Sequence, residues 1–125
     1  MPIRHGSSAS VDHTVTDADT ALAIGSGDVP VLATPQLVAL FERASVAAIG
    51  DQLGDDQTSV GMRVQVDHLA PTAVGDTISA EATLEKVEGR RLIFTVAARD
   101  RRGLVGAGKV TRVVVDRAHF LDKVT

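Results

Sequence analysis

The stretch LATPQLVALFERASVAAIGDQL, residues 32 to 53, constrains the fold of this chain more than any other. At about 3.6 residues per turn each step rotates the chain by about 100°, which lines up Gln36, Arg43 and Gly50 to Gln52 as a narrow polar strip. Leu37, Leu40, Phe41, Ala44 and Ala48 fill one apolar stripe, and Val38, Ser45, Val46 and Ile49 fill the next. A helix apolar over most of its circumference is buried on several sides. Glu42 falls inside the second stripe, where an ionised carboxylate needs a partner because its desolvation is expensive. Arg43 or a neighbouring basic residue would be a structural partner; a place in an active site is the other reading. Thr34 directly before Pro35 supplies the start signal, with a hydroxyl at the N-cap and proline at the first helical position.

The rest of the chain reads mainly as strands. SASVDHTVT alternates weakly and predicts a first strand, followed by DADTALAIGSGDVPVLA as a loop with a short strand or turn. GDQLGDDQ ends the helix, and from Ser59 the hydrophobic period changes to two. In VGMRVQVDH that period places Val60, Met62, Val64, Val66 and His68 toward the helix, and Gly61, Arg63, Gln65 and Asp67 away from it. DTISAEATLEKVE turns Ile78, Ala80, Ala82 and Leu84 inward, EGRR makes a turn, and LIFTVAARD returns as its antiparallel neighbour. RRGL turns into LVGAGKVTRVVVDR, where Gly106 and Gly108 suggest a bulge or the close approach of another chain. AHFLDKV is a short helical turn or a frayed tail. The order predicts an α+β domain spanning residues 1–125, in which a twisted antiparallel sheet of about five strands wraps one long helix.

Composition narrows the function. The 125 residues carry 13 Lys and Arg against 16 Asp and Glu, so no basic field points to nucleic acid or to an anionic membrane. Tyr and Trp are absent, which removes the stacking platforms of single-strand binders. Cys is absent too, excluding disulfides, thiolate metal sites and a cysteine nucleophile. His5, His13, His68 and His119 lack the spacing of a metal site, and no cofactor is expected. No stretch reaches the roughly 18 apolar residues of a membrane span, and MPIRHGSSAS lacks a signal-peptide core, so a soluble cytoplasmic protein is expected.

His68 is the second polar group in an apolar pattern, last in the series from Val60. One backbone carbonyl would satisfy a neutral core imidazole. A strand histidine and a helix carboxylate on the same side can also meet, and a carboxylate that orients an imidazole is the arrangement general-base chemistry needs. Thr34 adds a hydroxyl whose oxygen caps the helix while its hydrogen stays free to donate.

Three stretches, ATPQLVALFERA, SVGMRVQVDHLAPTAVGDTISAEATLEKVEGRRLIFTVAARD and GLVGAGKVTRVVV, resemble the fluoroacetyl-CoA thioesterase branch of the hotdog-fold acyl-CoA thioesterases. The resemblance covers most of the chain after Val31 and includes the Thr–Glu and Glu–His spacings, a glycine early in the His-bearing strand and the VEGRR turn. It implies a hotdog fold, a homodimer with active sites near the subunit interface, and acyl-CoA as substrate. It also implies a catalytic group of Thr34, Glu42 and His68, with Gly61 close to the bound thioester. The fluoroacetyl-specific enzyme has lid phenylalanines upstream of its threonine. AIGSGDVPVLAT has no aromatic residue, and Pro35 stands where glycine is expected, so the resemblance reaches thioester chemistry and leaves the acyl group open.

The expected reaction is hydrolysis of an acyl-CoA to carboxylic acid and CoA. His68 would accept or relay a proton, Glu42 would orient His68 or attack, and Thr34 would donate to or attack the carbonyl. Backbone N–H groups near Gly61 or at the helix start would hold the oxyanion. The rivals are a hotdog hydratase or dehydratase, which adds or removes water without releasing CoA, and an acyl-CoA-binding module without turnover.

Overall fold

A computed structural model describes residues 3–125. Strand β1 (Ser8–Thr14) leads through a 3-10 turn at Asp17–Asp19 and a single-turn helix, α1 (Ala21–Ile24), to the long helix α2 (Thr34–Ile49). Four strands follow: β2 (Gln57–His68), β3 (Thr77–Glu88), β4 (Arg91–Asp100) and β5 (Gly103–Asp116), then a short α3 (Arg117–Leu121). They form one antiparallel five-stranded sheet in the order β1-β3-β4-β5-β2. One long helix held by a five-stranded antiparallel sheet is the hotdog arrangement. In the β3–β4 turn, Gly89 has a φ of 62°, a left-handed conformation that glycine adopts without steric cost.

The core lies between α2 and the sheet. Leu37, Leu40, Phe41, Ala44 and Ile49 are fully buried against Ile78, Ala80, Ala82 and Leu84 of β3 and Leu92, Phe94 and Val96 of β4. The inward set predicted for β3 is therefore observed. The second apolar stripe of α2 is covered less completely than its pattern predicts. Ser45 and Ile49 are buried, but Val46 is 44% exposed. Val46 lines an open cleft with Val11 of β1 and Arg112 of β5.

Strand β2 departs from simple alternation. Gly61 pairs with Arg112 and Arg63 with Thr111, which leaves Met62 as the extra residue of a bulge. Before the bulge, Ser59 and Gly61 stand opposite Val114 and Arg112; after it, Val64, Val66 and His68 stand opposite Val110, Gly108 and Gly106. Opposite residues share a sheet face, and Val110, Arg112 and Val114 are buried, so the helix-facing set is Ser59, Gly61, Val64, Val66 and His68. The prediction that Val60 faced the helix and Gly61 faced away is thus reversed, because an inserted residue flips every side chain before it. The close approach at Gly106 and Gly108 comes from β2 of the same chain. A Cβ on Gly106 would stand 2.8 Å from the Asp67 carbonyl oxygen and 2.9 Å from Leu37 Cδ2.

Candidate active site

The first turn of α2 brings Thr34 to His68. Ala33, not Thr34, is the N-cap; its backbone is extended, with φ −72° and ψ 146°, and it has no capping side chain. Thr34 is thereby the first helical residue, and its hydroxyl is free of the helix. Its Oγ1 lies 2.8 Å from Nδ1 of His68, at the end of β2. Both line an open pocket of about 320 Å³ whose walls include Val29, Val31, Leu69 and Pro71. Nε2 of His68 is buried without a hydrogen-bond partner. Burial pushes the imidazole below its ordinary pKa of 6.5, opposed by the Ala70 backbone. A neutral ring is what a general base requires.

Glu42 does not join them. It lies eight residues beyond Thr34, about 12 Å farther along the helix axis at about 1.5 Å per residue. Its Oε2 accepts a hydrogen bond of 3.1 Å from Nη1 of Arg112. The buried guanidinium also donates from Nε to Ser59 Oγ and from Nη2 to the Ser59 carbonyl, both at 2.9 Å. Burial lowers the Arg112 pKa and the Glu42 carboxylate opposes that shift. Gly61 is the floor under this pair: a Cβ there would stand 2.5 Å from Glu42 Oε2. Glu42 and Arg112 open on a separate apolar cleft of about 560 Å³ with Val11, Ala39 and Val46.

The predicted residues therefore form two clusters within the chain, Thr34 with His68 and Glu42 with Gly61. The expected Glu42–His68 contact is not made within it. Arg112 is the residue that sequence reasoning missed. Its signal was present, since Arg112 is in phase with Val110 and Val114, at a position where β5 otherwise turns aliphatic side chains inward.

The fold places the chain among the hotdog-fold proteins. Within that class it belongs to the fluoroacetyl-CoA-specific thioesterase family, whose sequence profile matches residues 15–118. It is 38% identical over 94 residues to the fluoroacetyl-CoA thioesterase of Streptantibioticus cattleyicolor, a match spanning 75% of this chain and 68% of that protein. A solved fluoroacetyl-CoA thioesterase superposes with a TM-score of 0.92 at 32% identity, covering 99% of this chain and 96% of the other. A thioesterase superfamily member from Thermus thermophilus gives a TM-score of 0.91 at 30% identity, covering 98% and 91%. Among the described residues no helix is long and apolar enough to cross a membrane.

Proposed function

We propose that the protein hydrolyses an acyl-CoA thioester to a carboxylic acid and free CoA, with Thr34, His68 and Glu42 as the catalytic group. The observation that carries this reading is the Thr34–His68 contact, a hydroxyl at hydrogen-bond distance from a partly buried imidazole in an open pocket. A nucleophile within reach of its base is the arrangement covalent acyl transfer needs. The Thr34 hydroxyl donates to Nδ1, which leaves Nε2 as the N–H of the neutral ring. In the first step Thr34 Oγ1 attacks the thioester carbonyl while its proton passes to Nδ1. Collapse of the tetrahedral adduct breaks the C–S bond, returns the proton to the departing CoA sulfur and leaves the acyl group on Thr34. Water then attacks the ester with the same base, releasing acid and restoring the hydroxyl. Of the first-turn amides, Pro35 has none, and those of Gln36 and Leu37 donate to the Ala33 carbonyl. The Thr34 N–H remains to hold the oxyanion, a type of contact worth about 3 kcal/mol.

Glu42 is too far along α2 to join the pair within one chain, and a second copy brings another Glu42 toward it. Strand β2 is a sheet edge of 12 residues, with Met62 42% and Val64 37% exposed. With Met62 counted as the bulge, Gln65 is three steps from Gly61 and three from His68. Two β2 strands paired antiparallel about a two-fold at Gln65 set His68 opposite Gly61 of the second copy. The Glu42 carboxylate beside that glycine is then carried to the edge at which His68 ends its strand. The same register sets Val64 opposite Val66 on the helix side and Arg63 opposite Asp67 on the other side, a self-complementary edge. The proposed enzyme is a homodimer whose sites each take Thr34 and His68 from one subunit and Glu42 with Gly61 from the other.

The test is thiol release from short, branched, aryl and long acyl-CoAs by the wild type, Glu42→Gln and His68→Ala. With no Cys in the chain, a thiol reagent reports CoA without protein background. Release by the wild type and loss in both folded variants is the expected result. Water addition to an enoyl-CoA without thiol release, or binding with no turnover, would replace the hydrolase reading with one of its rivals.

A further inference from the structure

We propose that Asp19 is a positioning residue for the site: it tethers the first turn of α2 from outside the helix and thereby sets Thr34 against His68. The inference rests on the reading of Thr34 and His68 as a working pair. A helix leaves its first amide groups without intrahelical partners, and an N-cap side chain ordinarily takes one of them. Ala33 cannot. Instead, the Ala33 N–H donates to the Asp19 carbonyl at 2.9 Å, and the Gln36 side-chain amide donates to Asp19 Oδ1 at 3.1 Å. In an ordinary capping box the third helical residue reaches back to its own N-cap; here Gln36 in that position reaches to Asp19. Residue 19 thus holds α2 on both sides of Thr34, through its main-chain carbonyl at residue 33 and through the Asp19 carboxylate at Gln36.

Asp19 is itself held. Its Oδ2 accepts from the Thr16 N–H at 2.8 Å, the Thr16 hydroxyl at 3.0 Å and His13 Nε2 at 2.7 Å. These anchors belong to β1 and the turn after it, and β1 is tied to β3 over its whole length. Burial opposes ionisation of Asp19, but the donors outweigh it and hold the carboxyl well below the usual carboxylate range. The fixed negative charge also lies at the positive end of α2, where it is favourable. A rigid sheet element therefore sets the α2 end that carries Thr34, while β2 independently sets His68. The 2.8 Å contact depends on both.

Gln36→Leu cuts the side-chain tether and leaves the remaining Asp19 network intact; Asp19→Asn exchanges one acceptor oxygen for a donor that faces donors. Gln36→Lys keeps a donor toward Asp19. The readouts are the 15N shifts of the His68 imidazole in the resting protein, and kcat and KM on an acyl-CoA that the wild type hydrolyses. In Gln36→Leu the Nδ1 resonance is expected to move toward its unbonded position, with kcat about tenfold lower and KM little changed, since small misplacements of reacting groups cost rate. Asp19→Asn is expected to shift both in the same direction, and Gln36→Lys to restore both. An unchanged Nδ1 resonance and kcat in folded Gln36→Leu overturn the proposal. A moved resonance with unchanged kcat upholds the positioning and overturns the catalytic role of the pair.

Discussion

Gly61 lies directly against the Glu42 carboxylate, so close that a methyl group in place of its hydrogen would stand 2.5 Å from Oε2. Absence of a side chain at residue 61 is what allows Glu42 to turn toward Arg112 and remain on the surface that a second β2 would cover. Gly61→Ala is therefore expected to displace Glu42 and lower turnover by about 10-fold or more, with secondary structure retained. Circular dichroism beside a CoA-release assay checks it. Full activity in the alanine variant would remove Glu42 from the site.

Thr34 separates hydroxyl chemistry from helix capping. Because Ala33 is the N-cap, Thr34→Ala removes no cap and should leave the melting temperature nearly unchanged. Its kcat should fall by about 10² or more, the scale of a lost nucleophile or proton relay. Thr34→Ser should keep most of the rate, and mass spectrometry of quenched reactions should find the acyl group on residue 34. If acyl adducts are absent and Thr34→Ala still turns over, water is the attacking group.

The pH profile follows from the burial of His68. Its pKa lies below the ordinary 6.5, so the ring is neutral at pH 7 and protonates only as pH falls further. The kcat/KM of the wild type should fall on an acid limb, with its midpoint below 6.5 if the burial seen in the single chain governs the ring. A midpoint above that value would mean that a carboxylate beside the imidazole, such as Glu42 of the second copy, outweighs its burial.

Acid stability should report Asp19. A carboxyl whose folded pKa is depressed stabilises the protein above its unfolded pKa, and that contribution is lost as pH falls toward the folded value. For Asp19 the loss begins near the ordinary value of 3.8 and continues to lower pH. Urea midpoints of Asp19→Asn should thus fall less steeply below pH 4 than those of the wild type, a window set by carboxyl titration near about 3.9.

Charge exchange tests the proposed dimer. Arg63→Asp sets like charges opposite Asp67 of the second copy, and Asp67→Arg does the converse at Arg63. Each single variant should weaken the dimer, and the double exchange should restore it, as read by sedimentation velocity with activity measured alongside. Recovery of mass without recovery of turnover would separate the interface from the site.

Periodicity made much of this fold legible. The 3.6-residue period marked α2, and the two-residue period marked β3 with Ile78, Ala80, Ala82 and Leu84 inward, because burial of one face is a local property repeated along an element. The bulge at Met62 was not legible. Val60, Met62, Val64 and Val66 are all apolar, so the pattern is the same with or without an inserted residue, yet the insertion decides that Gly61 rather than Val60 faces the helix. The N-cap was misread for a related reason: Thr34 satisfies the local signal, but the N-cap lies one residue earlier, at Ala33, whose N–H is held by the Asp19 carbonyl that the path of the chain brings there.

The sequence by itself determined the long helix, the strands, the family and three chemically unusual side chains, Thr34, Glu42 and His68. These follow from residue type and spacing along one segment. The tertiary structure alone decided their partners: His68 with Thr34 across 34 residues, Glu42 with Arg112 across 70, and α2 with Asp19. Ionisable groups choose partners by distance in space, and that distance is set by strand register and by where a sheet carries each end of the helix.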